Sequence, residues 1–196
     1  MAGITPRWEW RSFGRRFGRA ETLLAGLEAE GVQESDEIYL LAATGSNVKI
    51  RDALLDIKLL RKVDATGLEQ WMPVTKARFP LSAATVAEVF KALDVPAPPL
   101  ARGDYTLEQF LTELVGRHAA VRAVKVHKRR VRYTVGGCMA ELAEVEVDGR
   151  KTRTIAIENE DADAVLAAVR SLGLAGRANT NYLRGLAAIA GGGLRR

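Results

Sequence analysis

Lys128-Arg129-Arg130-Val131-Arg132-Tyr133-Thr134-Val135-Gly136-Gly137-Cys138-Met139-Ala140-Glu141-Leu142-Ala143-Glu144 is the stretch whose reading decides the fold. It starts inside a basic run, Ala120 to Thr134, that holds Lys125, His127, Lys128, Arg129, Arg130 and Arg132 and reads as one long strand. Gly136-Gly137 supplies the positive φ angles of a two-residue hairpin turn. Cys138 to Val147 is the partner strand, Asp148-Gly149 a second hairpin turn, and Arg150 to Glu158 a third strand. Strands joined by such short turns run antiparallel as neighbours.

The chain before this meander carries more strands. Arg7 to Phe13 alternates, with Trp8, Trp10 and Ser12 on one face and Arg7, Glu9, Arg11 and Phe13 on the other. Asp36 to Ala42, Val48 to Arg51, Leu55 to Leu60 and Glu69 to Phe79 follow, with turns at Thr44-Gly45-Ser46-Asn47 and Asp64-Ala65-Thr66-Gly67. Pro73 makes the middle of the last one irregular or places it on an edge. Helical spacing appears over Ala20 to Glu30, Ser82 to Leu93, Tyr105 to His118, Asp161 to Leu172 and Asn179 to Ala190. Ser82 is a natural N-cap, and Thr106 with Gln109 has the spacing of a capping box. The fold class is therefore α+β: about eight antiparallel strands, closing or nearly closing into a barrel, with helices outside. One domain is expected over residues 5–190, with a flexible tail at 191–196.

Composition narrows the function. The 196 residues carry 29 Lys+Arg against 24 Asp+Glu, a net charge of +5, and are 47% hydrophobic, which excludes a largely disordered chain. One cysteine, Cys138, excludes an intramolecular disulfide framework and an all-cysteine zinc site. His118 and His127 are too few and too separated for zinc and read as surface or packing residues. Cys138 reads as a small core residue. Trp8, Trp10 and Trp71 read as core or helix-contact aromatics, and Tyr182 as packing its helix onto the barrel. Gly191-Gly192-Gly193 lacks the strand and helix context of a phosphate loop. No run is long and apolar enough for a membrane span or a signal peptide, so the expected setting is cytoplasmic, without a membrane partner.

The placement of the charges says more than their sum. Lys and Arg recur in phase on successive strands: Arg7 and Arg11, Lys49 and Arg51, Lys58, Lys76 and Arg78, then Lys128, Arg130 and Arg132. Glu9, Glu141, Glu144 and Glu158 are interleaved. Such alternation suits a solvated sheet face, the usual fate of charged strand residues. It equally suits a concave or tubular surface for a polyanion, since inward cations repel one another unless carboxylates or a bound anion compensate. A phosphate chain is the simplest such anion, because each oxygen accepts from Lys or from the fork of Arg.

These residues and their layout resemble the CYTH domain, the triphosphate tunnel metalloenzyme fold. That family opens with a Glu-x-Glu-x-Lys strand, and Arg7-Trp8-Glu9-Trp10-Arg11 is similar, with Arg7 in the place of the first glutamate and Arg11 in that of the lysine. Glu37-Ile38-Tyr39-Leu40, Val48-Lys49-Ile50-Arg51, Asp56-Ile57-Lys58-Leu59 and the basic strand before Glu141-Leu142-Ala143-Glu144 look like the family's next strands. In Thr154-Ile155-Ala156-Ile157-Glu158, Thr154 and Ala156 stand where glutamates are expected. Asn179-Thr180-Asn181-Tyr182-Leu183 resembles the terminal segment.

The resemblance implies an eight-stranded tunnel that handles triphosphate, polyphosphate, nucleoside or thiamine triphosphates or RNA 5′ ends with Mg²⁺ or Mn²⁺. It implies phosphate binding by Arg11, Lys49, Arg51, Lys58, Lys76, Arg78, Lys128, Arg130 and Arg132. Metal ligation falls to Glu9, Glu141, Glu144 and Glu158, and catalysis to Glu9, Glu141 and Glu158. The departures at positions 7, 154 and 156 thin the metal side and leave the cationic side intact. The expected protein binds triphosphate or linear polyphosphate better than it hydrolyses it. An active Mg/Mn-dependent phosphohydrolase, a module that serves a partner enzyme domain, and an RNA or other polyanion binder stand as alternatives. Against nucleic acid, the basic strands lack interleaved exposed aromatics for stacking on bases.

Overall fold

The computed structural model describes residues 5–191. Eight strands close into an antiparallel barrel: β1 (Arg7–Gly14), β2 (Gly31–Leu41), β3 (Asn47–Arg51), β4 (Leu54–Val63), β5 (Glu69–Arg78), then β8 (Arg122–Val135), β9 (Cys138–Val147) and β10 (Arg150–Asn159). Their order around the barrel is β1-β10-β9-β8-β2-β3-β4-β5. A two-stranded ribbon, β6 (Leu81–Ser82) and β7 (Asp104–Tyr105), lies outside it. The helices are α1 (Arg19–Ala25), α2 (Ala83–Ala92), α3 (Leu107–Gln109, continued by a π-helical segment, Phe110–Val115), α4 (Ala162–Ser171) and α5 (Tyr182–Ala190). Among the described residues no helix is long and apolar enough to cross a membrane.

The two meander turns have the backbone their residues permit. Gly136 and Gly137 have φ of 56° and 75°, and Asp148 and Gly149 have 48° and 79°, the left-handed pair of a tight hairpin. Pro73 lies at an irregularity: the β4–β5 register jumps from Ile57↔Thr75 to Lys58↔Pro73, leaving Val74 as a bulge. The bulge keeps Lys76 on the same face as Pro73 despite their odd separation.

Period-two alternation divides every strand between two environments. Outward apolar residues build two cores under helices. Trp8, Trp10, Ile155 and Ile157 pack with Leu24 of α1 and Val165 and Val169 of α4. Leu40, Val48, Ile50, Leu55 and Ile57 pack with Val86, Val89 and Phe90 of α2 and with Phe110 and Leu114. Both expected caps are present: Ser82 accepts from the Thr85 amide, and Thr106 and Gln109 form a reciprocal capping box.

A third core lies inside the barrel. Tyr39, Leu41, Val124, Val126, Ala143, Val145 and Val147 share the inward phase and pack on Tyr182, Leu186 and Ile189 of α5. Helix α5 thus closes one end of the lumen. It comes so near β1 that a Cβ on Gly185 would stand 2.2 Å from Phe13 Cε2.

Several boundaries differ from the sequence reading. The first helix stops at Ala25 rather than Glu30, and Leu27 is exposed. The second strand begins at Gly31 rather than Asp36, because β8 offers partners along its length, down to Gly31↔Arg132. The last helix starts at Tyr182, with Asn181 as its N-cap. From residue 192 onward, the expected tail lies outside the described residues.

Candidate functional site

The inward positions not covered by α5 line a cavity of about 500 Å³. Of the thirteen candidate residues, eleven line this cavity or its floor: Glu9, Arg11, Lys49, Arg51, Lys58, Lys76, Lys128, Arg130, Arg132, Glu141 and Glu158. The solvated sheet face is therefore not where these charges lie. They converge because each strand presents every second residue inward and neighbours are in register, as at Lys49↔Asp56, Asp56↔Lys76 and Arg132↔Glu141.

Two candidates lie elsewhere. Glu144 is an odd number of residues from Glu141, so the pleat turns it outward, where it pairs in register with Arg129 and Arg153. Its place among the expected metal ligands is corrected accordingly. Arg78 keeps the inward phase but pairs with Leu54 at the rim and is exposed, so it does not line the cavity. Trp71 is buried, as the reading of it as a core or helix-contact aromatic expects, and it stands in the lumen wall with its Nε1 donating to Glu69 at 3.3 Å.

Ion pairs organise the interior. Glu141 meets Lys128 at 2.9 Å, Arg130 at 3.3 Å and Arg11 at 3.6 Å. The Lys128 contact leaves Glu141 Oε1 without a well-directed hydrogen bond, so proximity of charge rather than alignment holds the pair. Arg11 Nε donates to Glu9 at 2.7 Å, and its Nη1 donates to Thr154 Oγ1 at 3.1 Å. Arg130 also donates to Gln33 Oε1.

Two carboxylates in this network escaped the sequence reading. Glu37 is buried, accepts from the Tyr39 hydroxyl at 2.7 Å and lies 3.5 Å from both Lys49 and Arg51. Glu69 accepts from Asn181 at 3.1 Å and from Arg184 at 2.7 Å, tying α5 to β5. Glu37 could have been found from its phase, two residues before Tyr39 and opposite Arg51. Glu69 gave no such signal, because apart from Trp71 on its own strand its partners, Asn181 and Arg184, lie more than a hundred residues away.

The floor is aromatic. Tyr182 stacks on Tyr39 with ring centroids 4.9 Å apart, and Arg11 and Lys128 stand over its ring at 4.8 and 5.0 Å. The Tyr182 hydroxyl is buried without a partner.

Charge balance sets the character of the cavity. Nine cationic side chains face six carboxylates around the lumen and its floor: Glu9, Asp56, Glu141, Glu158 and Glu160 on the lining, and the buried Glu37 against Lys49 and Arg51. Burial, together with Lys128, Arg51 and Lys58, pushes Lys49 down to about 8 against the pull of Glu37. Burial likewise lowers Lys128. For Glu141, burial is overcome by Lys128, Arg11 and Arg130, which hold it well below the usual carboxylate range. Glu9 and Glu158 pair in register across β1 and β10 and interact. Burial and the Glu9 charge raise Glu158, while Arg11 and Lys58 outweigh burial and keep Glu9 low.

A hard divalent cation needs several oxygen ligands. Among the described residues no three His, Cys, Asp or Glu side chains stand together as a ligand group. Glu144 faces outward, Glu141 is held by three cations, and Glu9 is held by Arg11. Glu158, Asp56 and Glu160 line the cavity with no cation within 4.0 Å among the described residues, but they do not stand together as a ligand group. The side chains present do not fit the metal site that the resemblance implies.

No protein-family model and no curated protein sequence matches the chain. Solved structures do. HpAC1 from Hippeastrum, described as a proposed adenylyl cyclase with a dominant triphosphatase activity, aligns with a TM-score of 0.53 at 14% identity over 96% of this chain and 97% of its own. A conserved protein from Pyrococcus furiosus, described without a function, aligns with a TM-score of 0.52 at 17% identity over 90% and 98%. At these identities the likeness is one of fold. With its closed eight-stranded antiparallel barrel and charged lumen, the chain has the tunnel fold of the CYTH-like proteins.

Proposed function

We propose that the lumen captures a short linear polyphosphate, triphosphate foremost, and that capture rather than turnover is its main property. The observation that carries this is the inward excess of cations over carboxylates in one cavity. A phosphate chain relieves that excess. Its oxygens accept from Arg51, Arg130 and Arg132 as planar forks and from Lys49, Lys58 and Lys76 as point charges. Pairing with Glu37 holds Lys49 and Arg51 in place, and pairing with Glu141 holds Arg130, which limits their reorganisation on binding.

Hydrolysis of the phosphoanhydride is the subordinate property. It needs a group to orient water. Glu9 and Glu141 are committed to cations, which leaves Glu158, Asp56 and Glu160 as the lumen carboxylates without an ion pair among the described residues. The triphosphatase activity in the description of HpAC1 belongs to the same chemical class and supports the choice of ligand. A cytoplasmic setting, where triphosphates are made, and service to a partner enzyme domain fit a capturing role. Nucleic acid fits less well. Outside the barrel, Arg129 and His127 on β8 lie between Glu34 and Asp36 on β2 and Glu144 and Glu146 on β9, which breaks up any basic track.

Calorimetric titration with sodium tripolyphosphate at low ionic strength tests the reading. Saturable binding of one chain per protein, competed by longer polyphosphate, is expected. Absence of heat and of competition would overturn it.

A further inference from the structure

We infer that the lumen takes its phosphate chain free of metal, with Arg7, Lys58, Lys76 and Arg132 holding the charge that a divalent cation would otherwise offset. This rests on the phosphate-capture reading above and specifies the ionic form of the ligand.

Two independent observations carry it. The first concerns what the cavity offers a cation. Glu141 lies amid Lys128, Arg130 and Arg11, and Glu9 is engaged by Arg11. To ligate a metal, Glu141 would have to leave Lys128 and Arg130 uncompensated, and Arg11 with Glu9 alone, beside a further positive centre. Asp56, Glu158 and Glu160 line the same cavity unpaired but form no ligand group among the described residues. Like charges at that spacing in a poorly solvated lumen oppose each other strongly.

The second concerns what the cavity offers an anion. Arg7, Lys58, Lys76 and Arg132 line the same cavity, and among the described residues none has a carboxylate oxygen within 4.0 Å. Arg132 Nε is buried and has no hydrogen-bond partner. Asp56 Oδ1, on the same wall, is likewise buried without a partner, so one acceptor is unmet there too. The four uncompensated cations on β1, β4, β5 and β8 nonetheless surround the space from several sides and outnumber it. Bound Mg²⁺ would occupy phosphate oxygens and cancel part of the charge these four groups are placed to meet.

Calorimetry with tripolyphosphate in EDTA, and again with Mg²⁺ in excess over the ligand, tests this on the wild-type protein. Binding in EDTA that weakens by about tenfold or more with Mg²⁺ is expected, the scale of one lost charge-assisted hydrogen bond. Binding only when Mg²⁺ is present would overturn the inference and leave the capture reading standing. Absence of binding under both conditions would overturn the capture reading itself. Arg132→Gln and Lys58→Met should each weaken binding in EDTA, with a thermal melt confirming a folded barrel. Arg7→Glu places a carboxylate two residues from Glu9 on the same face. It should weaken binding in EDTA and reduce or reverse the penalty from Mg²⁺. An unchanged Mg²⁺ response in that variant would count against the assignment of Arg7.

Discussion

Lys128 Nζ stands 2.9 Å from Glu141 Oε1 inside the barrel, and both side chains are almost wholly buried, at 4% and 12% exposure. Glu141 compensates Arg11 and Arg130 as well. Glu141→Gln keeps the shape and removes the charge, so three interior cations lose their shared counter-ion. The variant should unfold about 3 kcal/mol more easily in a urea melt, the scale of breaking a buried pair from one side. A melt superimposable on the wild type would show that the network contributes nothing.

Lys58 has no carboxylate within 4.0 Å among the described residues and faces Glu9 and Glu158 across the lumen. Its removal therefore costs little folding stability and one ligand contact. Lys58→Ala should weaken tripolyphosphate binding by about tenfold or more, the worth of one charge-assisted contact. Glu144→Gln, on the outer face, is the matched control and should leave the affinity unchanged. The reverse pattern, with Glu144 mattering and Lys58 not, would move the site out of the barrel.

Lys49 makes the site sensitive to alkaline pH. Its folded value of about 8 lies below the ordinary 10.5, so folding expels a proton between these values. The cost of holding Lys49 charged is present in full below pH 8 and is relieved as pH rises toward 10.5, so this group adds stability with rising pH in that window. Ligand affinity moves the opposite way, since a neutral Lys49 attracts phosphate less. Tripolyphosphate affinity should fall as pH rises through about 8, with proton uptake on binding that appears as a buffer-dependent heat. Lys49→Met should abolish most of that buffer dependence; uptake that persists would assign it to another group.

Gly185 has no room for a methyl group beside Phe13. Helix propensity alone favours alanine over glycine by about 1 kcal/mol, whereas forcing a methyl into a packed contact costs about 1–3 kcal/mol. Gly185→Ala should therefore lower stability, and adding Phe13→Leu should recover part of the loss through a coupling measurable in a double-mutant cycle. A stabilised single variant would mean that α5 does not press on β1.

The barrel was legible where the chain announces its own geometry. Gly136-Gly137 and Asp148-Gly149 allow little but hairpins, and strict alternation in Arg7 to Phe13 and Val48 to Arg51 fixes which side chains share a face. Residues 31–35 were missed as strand because Gly31, Gln33, Glu34 and Ser35 carry no apolar alternation, and their ladder partners on β8 supply the order instead. Glu144 was misplaced by treating Glu141 and Glu144 as one acidic group when the pleat separates odd spacings. The seat of α5 inside the barrel end was beyond the sequence, since its apolar stripe would suit an outer face equally well. That seat hides Glu69 and puts Tyr182 beneath Arg11 and Lys128.

A crystal structure of the protein with tripolyphosphate at low salt and without divalent cations tests the central claim most directly. The account predicts phosphate density inside the lumen within hydrogen-bond reach of Lys58 and Arg132. A lumen holding only solvent, with phosphate elsewhere on the surface or nowhere, would contradict it.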